Sequence, residues 1–386
     1  MRRQRHAAWV VLIGLTAFNA WHSQYRGIWN PVSVIGSLNL SADRVERLRT
    51  VDPSLRSNGS YDGQFFYLIA LDPLLVHKTW LPLFSDPVYR YQRALYPLLA
   101  HAAALGRARA LPYSLLGINV LFFLVGGWAV HRLARRNGWS RWVLAGYLAN
   151  TGLIFCVFRT LAEPVAMALC LAGILAWRGH AGRLKRALGA GCFALGVLAR
   201  EPFVIVPLSV AAWEWIAEKR SLRRAAALVI ATVLPFLIWL SYLHVRLPSS
   251  PPYYHAIDSG SIVERGIGFG RLSIPFVGIV QESLSGLREL STSTEVKRTL
   301  SLSAVAIALC VWAAVTFSRR PSFWGFLCLT QAGFVSVLRG DIWNYHAGSA
   351  RVLITLFVFA TMLAADEIAA NRLRSGRTLA RGEPPR

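Results

Sequence analysis

Long apolar runs separated by short clusters of arginine and lysine recur along this chain, and they are the first guide to its elements. Residues 112–130 make one run close to the ~20 residues that a membrane-spanning helix needs. Further runs fall at 142–158, 162–177, 187–199, 202–216, 225–243, 300–317, 322–338 and 350–365. An N-terminal run at 7–21 follows Arg2, Arg3, Arg5 and His6; it ends in Phe18, Asn19, Ala20 and Trp21, without the paired small residues of a cleavage site, and reads as a retained anchor. Together the runs predict about ten crossings. The run at 94–105 is too short to span and is ended by Gly106, Arg107 and Arg109, so it reads as an interfacial helix. Residues 24–93 are too polar to span and contain Pro31, Pro53, Pro73, Pro82 and Pro87, the pattern of a long loop with short helices.

Composition agrees with that pattern. The chain has 386 residues, 54% of them hydrophobic and 16% charged, with a mean hydropathy of +0.42, which is too apolar for a soluble protein of this size. The expected fold is all-α, a polytopic transmembrane helix bundle forming one integral membrane domain over 1–386. A net charge of +23 raises the question of nucleic acid. The basic residues are scattered in clusters between apolar runs, and cytoplasmic loops are where such clusters concentrate. With the N-terminus inside, Arg132/Arg135/Arg136/Arg141, Arg178/Arg183/Lys185/Arg186, Lys219/Arg220/Arg223/Arg224 and Arg319/Arg320 all fall on the cytoplasmic side. So does a basic tail at 368–386. Counting 94–105 as a crossing would break this register. The expectation is therefore an inner (plasma) membrane protein with both termini cytoplasmic, outer loops at about 24–111 and 246–298, membrane lipids as neighbours and no nucleic-acid partner.

Acidic and basic residues mix on the outer side. The set includes Asp62, Asp72, Asp86, Arg90 and Arg93 in the first loop, Arg159 and Glu163, the turn Arg200-Glu201-Pro202, and Asp341, His346 and Arg351 near the last outer loop. Charges at the ends of apolar spans are costly in lipid and commonly face a bundle interior or a wet cavity. The plain alternative is that Arg159/Glu163 and Arg200/Glu201 cap helices and neutralise themselves, and that Asp62-Gly63 is an ordinary turn. The aromatic residues around Asp62 equally suit an interfacial belt. His255 with Asp258, and Asp341 with His346, have no diagnostic spacing, and 274–290 reads as a further interfacial helix. Cys156, Cys170, Cys192, Cys310 and Cys328 all fall within apolar runs and give neither a disulfide nor a zinc pattern. No glycine-rich phosphate loop is present, which disfavours a cytosolic nucleotide-sugar enzyme.

Tyr61-Asp62-Gly63-Gln64-Phe65-Phe66-Tyr67 follows the first apolar helix and precedes Arg90-Tyr91-Gln92-Arg93-Ala94-Leu95-Tyr96-Pro97. This pair of segments resembles the first outer loop of bacterial membrane glycosyltransferases of the GT-C type, among them relatives of the PIG-V-like mannosyltransferases. Leu161-Ala162-Glu163-Pro164 and Ala199-Arg200-Glu201-Pro202 resemble helix starts in the same families. The resemblance implies an inverting hexosyltransferase that takes a sugar from a polyprenyl-phosphate donor and passes it to a glycan, lipid or protein acceptor on the outer face. It implies Asp62 as the catalytic acidic residue, with Tyr61, Gln64, Arg90, Arg93, Arg159, Glu163, Arg200, Glu201 and Arg351 as substrate-binding candidates. The family often has a second acid close by, where this chain has Gly63. A divalent cation is thus left open, and neither a metal ligand set nor a certain cofactor is assigned. Inverting sugar transfer needs a carboxylate to take the acceptor proton and cations to receive the charge of the departing phosphate, which Asp62 and the arginines supply. The competing expectation is a transporter or flippase for a lipid-linked or anionic substrate, with the same ionisable groups lining a path.

Overall fold

The computed structural model describes residues 9–14, 46, 49, 62–84, 87–179, 182–247, 275–277, 279–280, 294–338 and 351–380, the side chains at 294–299 and 375–380 excepted. Tyr61, Asp86, His255, Asp258, Asp341, His346 and most of 274–290 lie outside the described residues. All regular structure among the described residues is helical. In chain order the helices are α1 (Gly63–Leu71), α2 (Pro87–Tyr91), α3 (Leu95–Ala103), α4 (Leu111–Asn137), α5 (Trp142–Leu148), α6 (Thr151–Phe158) and α7 (Glu163–Trp177). They continue with α8 (Arg183–Ala199), α9 (Ile205–Ile216), α10 (Leu222–Arg246), α11 (Thr294–Arg319), α12 (Phe323–Ser336) and α13 (Ile354–Ala380).

Among the described residues, four segments are long and apolar enough to cross a membrane: Ala108–Asn137, Leu222–Arg246, Leu300–Arg319 and Ile354–Arg374. Glu163–Trp177 and Phe323–Ser336 are apolar but shorter. This is fewer than the expected ten; the run at 7–21 lies mostly outside the described residues, and two other runs are interrupted. The run at 142–158 is divided at Ala149-Asn150 into α5 and α6, neither long enough to span. The run at 202–216 opens with a 3₁₀ turn, Glu201–Val204, before α9 begins. The run at 94–105 forms the nine-residue α3, too short to cross, as expected.

The chain divides into two compact units, Met1–Tyr25 with Val130–Gly152 and Ser259–Arg386, and Arg26–Ala129 with Leu153–Asp258. In the first unit α12 packs on α11 and α13, and α5 packs on α13. Ser322 caps α12 by accepting from the Gly325 N–H at 3.1 Å. Leu12, Ala364 and Ile368 are fully buried together, with Trp9 and Trp312 against them. Arg320 bridges Glu367 at 2.9 Å and Asp366 at 3.5 Å, which holds the start of the tail in helix. Arg351 belongs to this unit and is partly buried.

In the second unit α7 and α8 form the closest helix pair, antiparallel and joined by small residues. A Cβ on Gly189 would stand 2.9 Å from the Trp177 backbone nitrogen, and one on Gly196 3.2 Å from Cys170 Sγ. Such close backbones are the usual way helices associate where lipid removes the hydrophobic drive. α8 also packs on α10, and α9 on α10. The five cysteines lie within helices in the two units.

The polar stretch carries short helices among its described residues, as expected, and one of them is deeply buried. α1 is buried from Gly63 to Ala70 and packs on α3. Phe66 meets Tyr96 edge-on at 5.2 Å, Tyr96 donates its hydroxyl to the Leu115 carbonyl at 2.9 Å, and His101 Nδ1 lies 2.7 Å from the Ala70 carbonyl. The turn after α1 is built on Asp72, whose carboxylate accepts from the backbone N–H groups of Val76, His77 and Lys78 at 2.8 to 2.9 Å. The C-terminal end of α10 holds that turn from outside. Arg246 donates to Leu75 O, Tyr242 to Leu74 O, and Lys78 Nζ to Arg246 O. Trp239 Nε1 reaches the Tyr91 carbonyl at 2.9 Å and ties α2 to the same helix.

Candidate functional site

Asp62 occupies the position just before α1, where an aspartate usually accepts from a free backbone N–H of the first turn. Here its side chain makes no capping bond, and its backbone is already helical. The carboxylate instead meets Arg90, Nη1 to Oδ1 at 2.9 Å, with the two side chains 31% and 18% exposed. A side-chain cap therefore does not account for the Asp62 carboxylate. Arg90 comes from α2, and its guanidinium lies over the Phe65 ring at 3.9 Å, one turn along α1 from Asp62. Burial pulls the Arg90 pKa below its ordinary value, and the neighbouring Asp62 charge only partly offsets this. Such a guanidinium is held by stacking and one carboxylate, with its Nε buried and making no hydrogen bond.

Behind this pair lies a more deeply buried ionic chain. Arg93 is 3% exposed in its side chain and grips Glu201 with two nitrogens, Nε to Oε2 at 3.0 Å and Nη2 to Oε1 at 2.8 Å. Arg200 reaches Glu201 at 3.3 Å and Glu163 at 3.3 Å. Burial alone would push the Glu201 carboxyl up, but the Arg93 and Arg200 guanidiniums outweigh it and hold the group down at about 2. Arg93 is raised in turn: Glu201 overcomes the opposing effect of its burial. Tyr89 links the two groups, because the Arg90 and Arg93 guanidiniums both lie over its ring, at 5.4 and 4.5 Å.

Helix ends position these charges. Glu163 stands in the first turn of α7, followed by Pro164 as a starting residue. Arg200 closes α8 in an extended conformation, and Glu201 opens the 3₁₀ turn that leads into α9. The start of α7, the end of α8 and the start of α9 thus meet, and α2 supplies Arg93 just beyond its last residue. Asp62, Arg90, Arg93, Glu163, Arg200 and Glu201 are all in this unit.

Gly63 explains how α1 comes so close. A Cβ there would fall on the Arg159 carbonyl oxygen and 2.6 Å from Thr160 Oγ1. The turn it meets is itself tight, with Thr160 at a φ of 52°, a region that L residues seldom occupy, and with Thr160 Oγ1 donating to Arg159 O at 2.8 Å. The Arg159 guanidinium lies 5.8 Å from the Phe155 ring, and Gln64 is buried within α1. The backbone approach at position 63 thus leaves no room for a side chain. Gly63→Ala is expected to lower stability by about 1–3 kcal/mol through overpacking and to move Asp62 away from Arg90; thermal unfolding and activity both measure it.

No protein-family model, curated protein or solved structure matches this chain. The functional reading rests on the residues themselves. Asp72 shows what sequence alone could not separate: two acids ten positions apart serve different ends, one satisfied by backbone N–H groups and 5% exposed, the other turned toward an arginine and open to solvent. The partnership of Arg93 with Glu201 spans 108 positions, and no local signal announces it.

Proposed function

We propose that this protein is a membrane glycosyltransferase that moves a sugar from a polyprenyl-phosphate donor to an acceptor hydroxyl on the outer face, with Asp62 as the base. The observation that carries the reading is the Asp62–Arg90 pair, an accessible carboxylate without a capping role beside a stacked guanidinium. In the proposed step the acceptor oxygen attacks the anomeric carbon while the bond from that carbon to the carrier phosphate breaks. The acceptor proton passes to Asp62, and the phosphate leaves with the bonding pair. Arg90 and Arg159 suit the receiving side, since guanidinium matches phosphate oxygens. Arg93 and Arg200 are engaged by carboxylates and serve to fix the surrounding helix ends. Because guanidiniums already face Asp62, Glu163 and Glu201, the donor set suits neutralisation of an anion better than coordination of a divalent cation.

The transport reading asks for ionisable groups near mid-membrane on broken helices. In this unit the ion pairs gather at helix ends instead: Glu163 at the start of α7 and Arg178 just past its end. That distribution supports the enzyme. The test is the purified protein in vesicles supplied with a radiolabelled polyprenyl-phosphate sugar and a lipid acceptor fraction. Label on the acceptor is the expected result; movement of the donor across the vesicle without transfer would replace the proposal with the transporter.

A further inference from the structure

The hairpin of α9 and α10 carries a groove at the end away from Glu201. It has a volume of about 330 Å³ and is lined only by apolar residues, among them Leu208, Ala212, Trp215, Ala226, Val229 and Ile230. From Leu208 to Trp215 it follows about 10 Å of helix, long enough to seat part of an acyl chain. The alanines make it narrow, and several large side chains along it are open, Trp215 at 51% and Ile230 at 59%. The connection that closes this end of the groove is basic. Lys219 and Arg223 are exposed there and form no ion pair among the described residues. The nearby acids are already engaged. Glu218 accepts from Arg178 at 2.9 Å and Trp213 at 3.1 Å, and Arg220 lies 3.4 Å away. Glu214 is paired with Arg224 at 2.9 Å.

An apolar channel that ends at unpaired cations, with a tryptophan near the junction, has the polarity of one lipid molecule seen end to end. The geometry points to a binding site for an anionic phospholipid, its acyl chain between α9 and α10 and its headgroup phosphate at Lys219 and Arg223. The site lies at the opposite end of α9 from the Asp62 cluster and does not depend on the transferase reading. A free phosphate compound would gain only the cations and a neutral lipid only the groove, so the full site favours a molecule with both.

Native mass spectrometry of the detergent-purified full chain tests this, with phosphatidylglycerol and phosphatidylcholine of identical chains offered together. Phosphatidylglycerol is expected to be retained about thirtyfold over phosphatidylcholine, each cation near an anionic headgroup contributing about fivefold. Lys219→Gln with Arg223→Gln, both at exposed positions, brings the two lipids to near parity. Ala226→Phe, which fills the groove from an exposed position, lowers retention of both, and excess glycerol 3-phosphate does not displace the bound lipid. Equal retention by the native protein overturns the assignment, as does a preference that survives the double substitution or retention that the filled groove leaves undiminished. Displacement by glycerol 3-phosphate would make this a phosphate site without a lipid, and lipid-excluding self-association through this hairpin would make it a protein interface; either result also overturns it.

Discussion

Asp62→Asn is expected to lower sugar transfer by about 10²–10⁴-fold, the range for loss of a positioned general base, while leaving the unfolding temperature nearly unchanged. The separation follows from geometry. An asparagine oxygen still accepts from Arg90 Nη1, now 2.9 Å from Oδ1, and the side chain makes no capping bond that the helix would lose. A neutral amide, however, cannot take the acceptor proton. Asp72→Asn provides the contrast. Both Asp72 oxygens serve the backbone N–H groups of 76–78, so its loss of charge falls on the fold, at about 1.5–3 kcal/mol per charged hydrogen bond weakened, with the transfer rate of the folded fraction kept. Donor binding gives a further discrimination. If Asp62 acts on the acceptor proton, Asp62→Asn lowers kcat with little change in the KM for the polyprenyl-phosphate donor. Full activity in Asp62→Asn would remove Asp62 from the chemistry.

What the sequence made legible divides along physical lines. Hydropathy located α4, α10, α11 and α13, because a helix that must satisfy its backbone in lipid needs a long apolar run. It also marked 94–105 as too short, and α3 is nine residues. Short helices stand among the described residues of 24–93, as expected, but local hydropathy does not indicate how deeply 63–70 is buried. Burial of α1 depends on α3 and on the bare Cα of Gly63 against the Arg159 carbonyl, and no window of local hydropathy contains those partners. The run at 142–158 has the length and hydropathy of one helix, and its internal Asn150 is the local mark of the break. Ion pairing was legible only as local charge: Arg200-Glu201 announced itself by interrupting an apolar stretch. Its third member, Arg93, comes from a different part of the chain. Sequence reasoning grouped these residues on one side, whereas geometry separates Arg90, stacked beside the open carboxylate, from Arg93, which is locked to Glu201.

That locked pair yields the largest expected effect on stability. Arg93→Met leaves Glu201 with Arg200 alone, at 3.3 Å, and is expected to destabilise the protein by about 3–5 kcal/mol, the usual loss when one partner of a buried pair is removed. Glu201→Gln strands the opposite charge, on a guanidinium 3% exposed, and should be comparably severe. Combined, Arg93→Met with Glu201→Gln removes both charges, so the loss is expected to be well below the sum of the single changes; a double-mutant cycle from denaturant unfolding in detergent measures that coupling. An additive cycle would mean that the two residues contribute independently. Acid supplies a second readout with a definite sign. The Glu201 carboxyl is held at about 2 in the folded protein against an ordinary 4.5, so its stabilisation is fully present above about pH 4.5 and disappears as pH falls toward 2. The native protein should therefore lose stability steeply through that window, and Glu201→Gln, having no carboxyl to protonate at this position, should show a shallower decline from its lower starting point. Because Arg93 ties the end of α2 to the start of the turn before α9, the same variants should also loosen Arg90 against Asp62, with transfer falling before global unfolding as the pH is lowered.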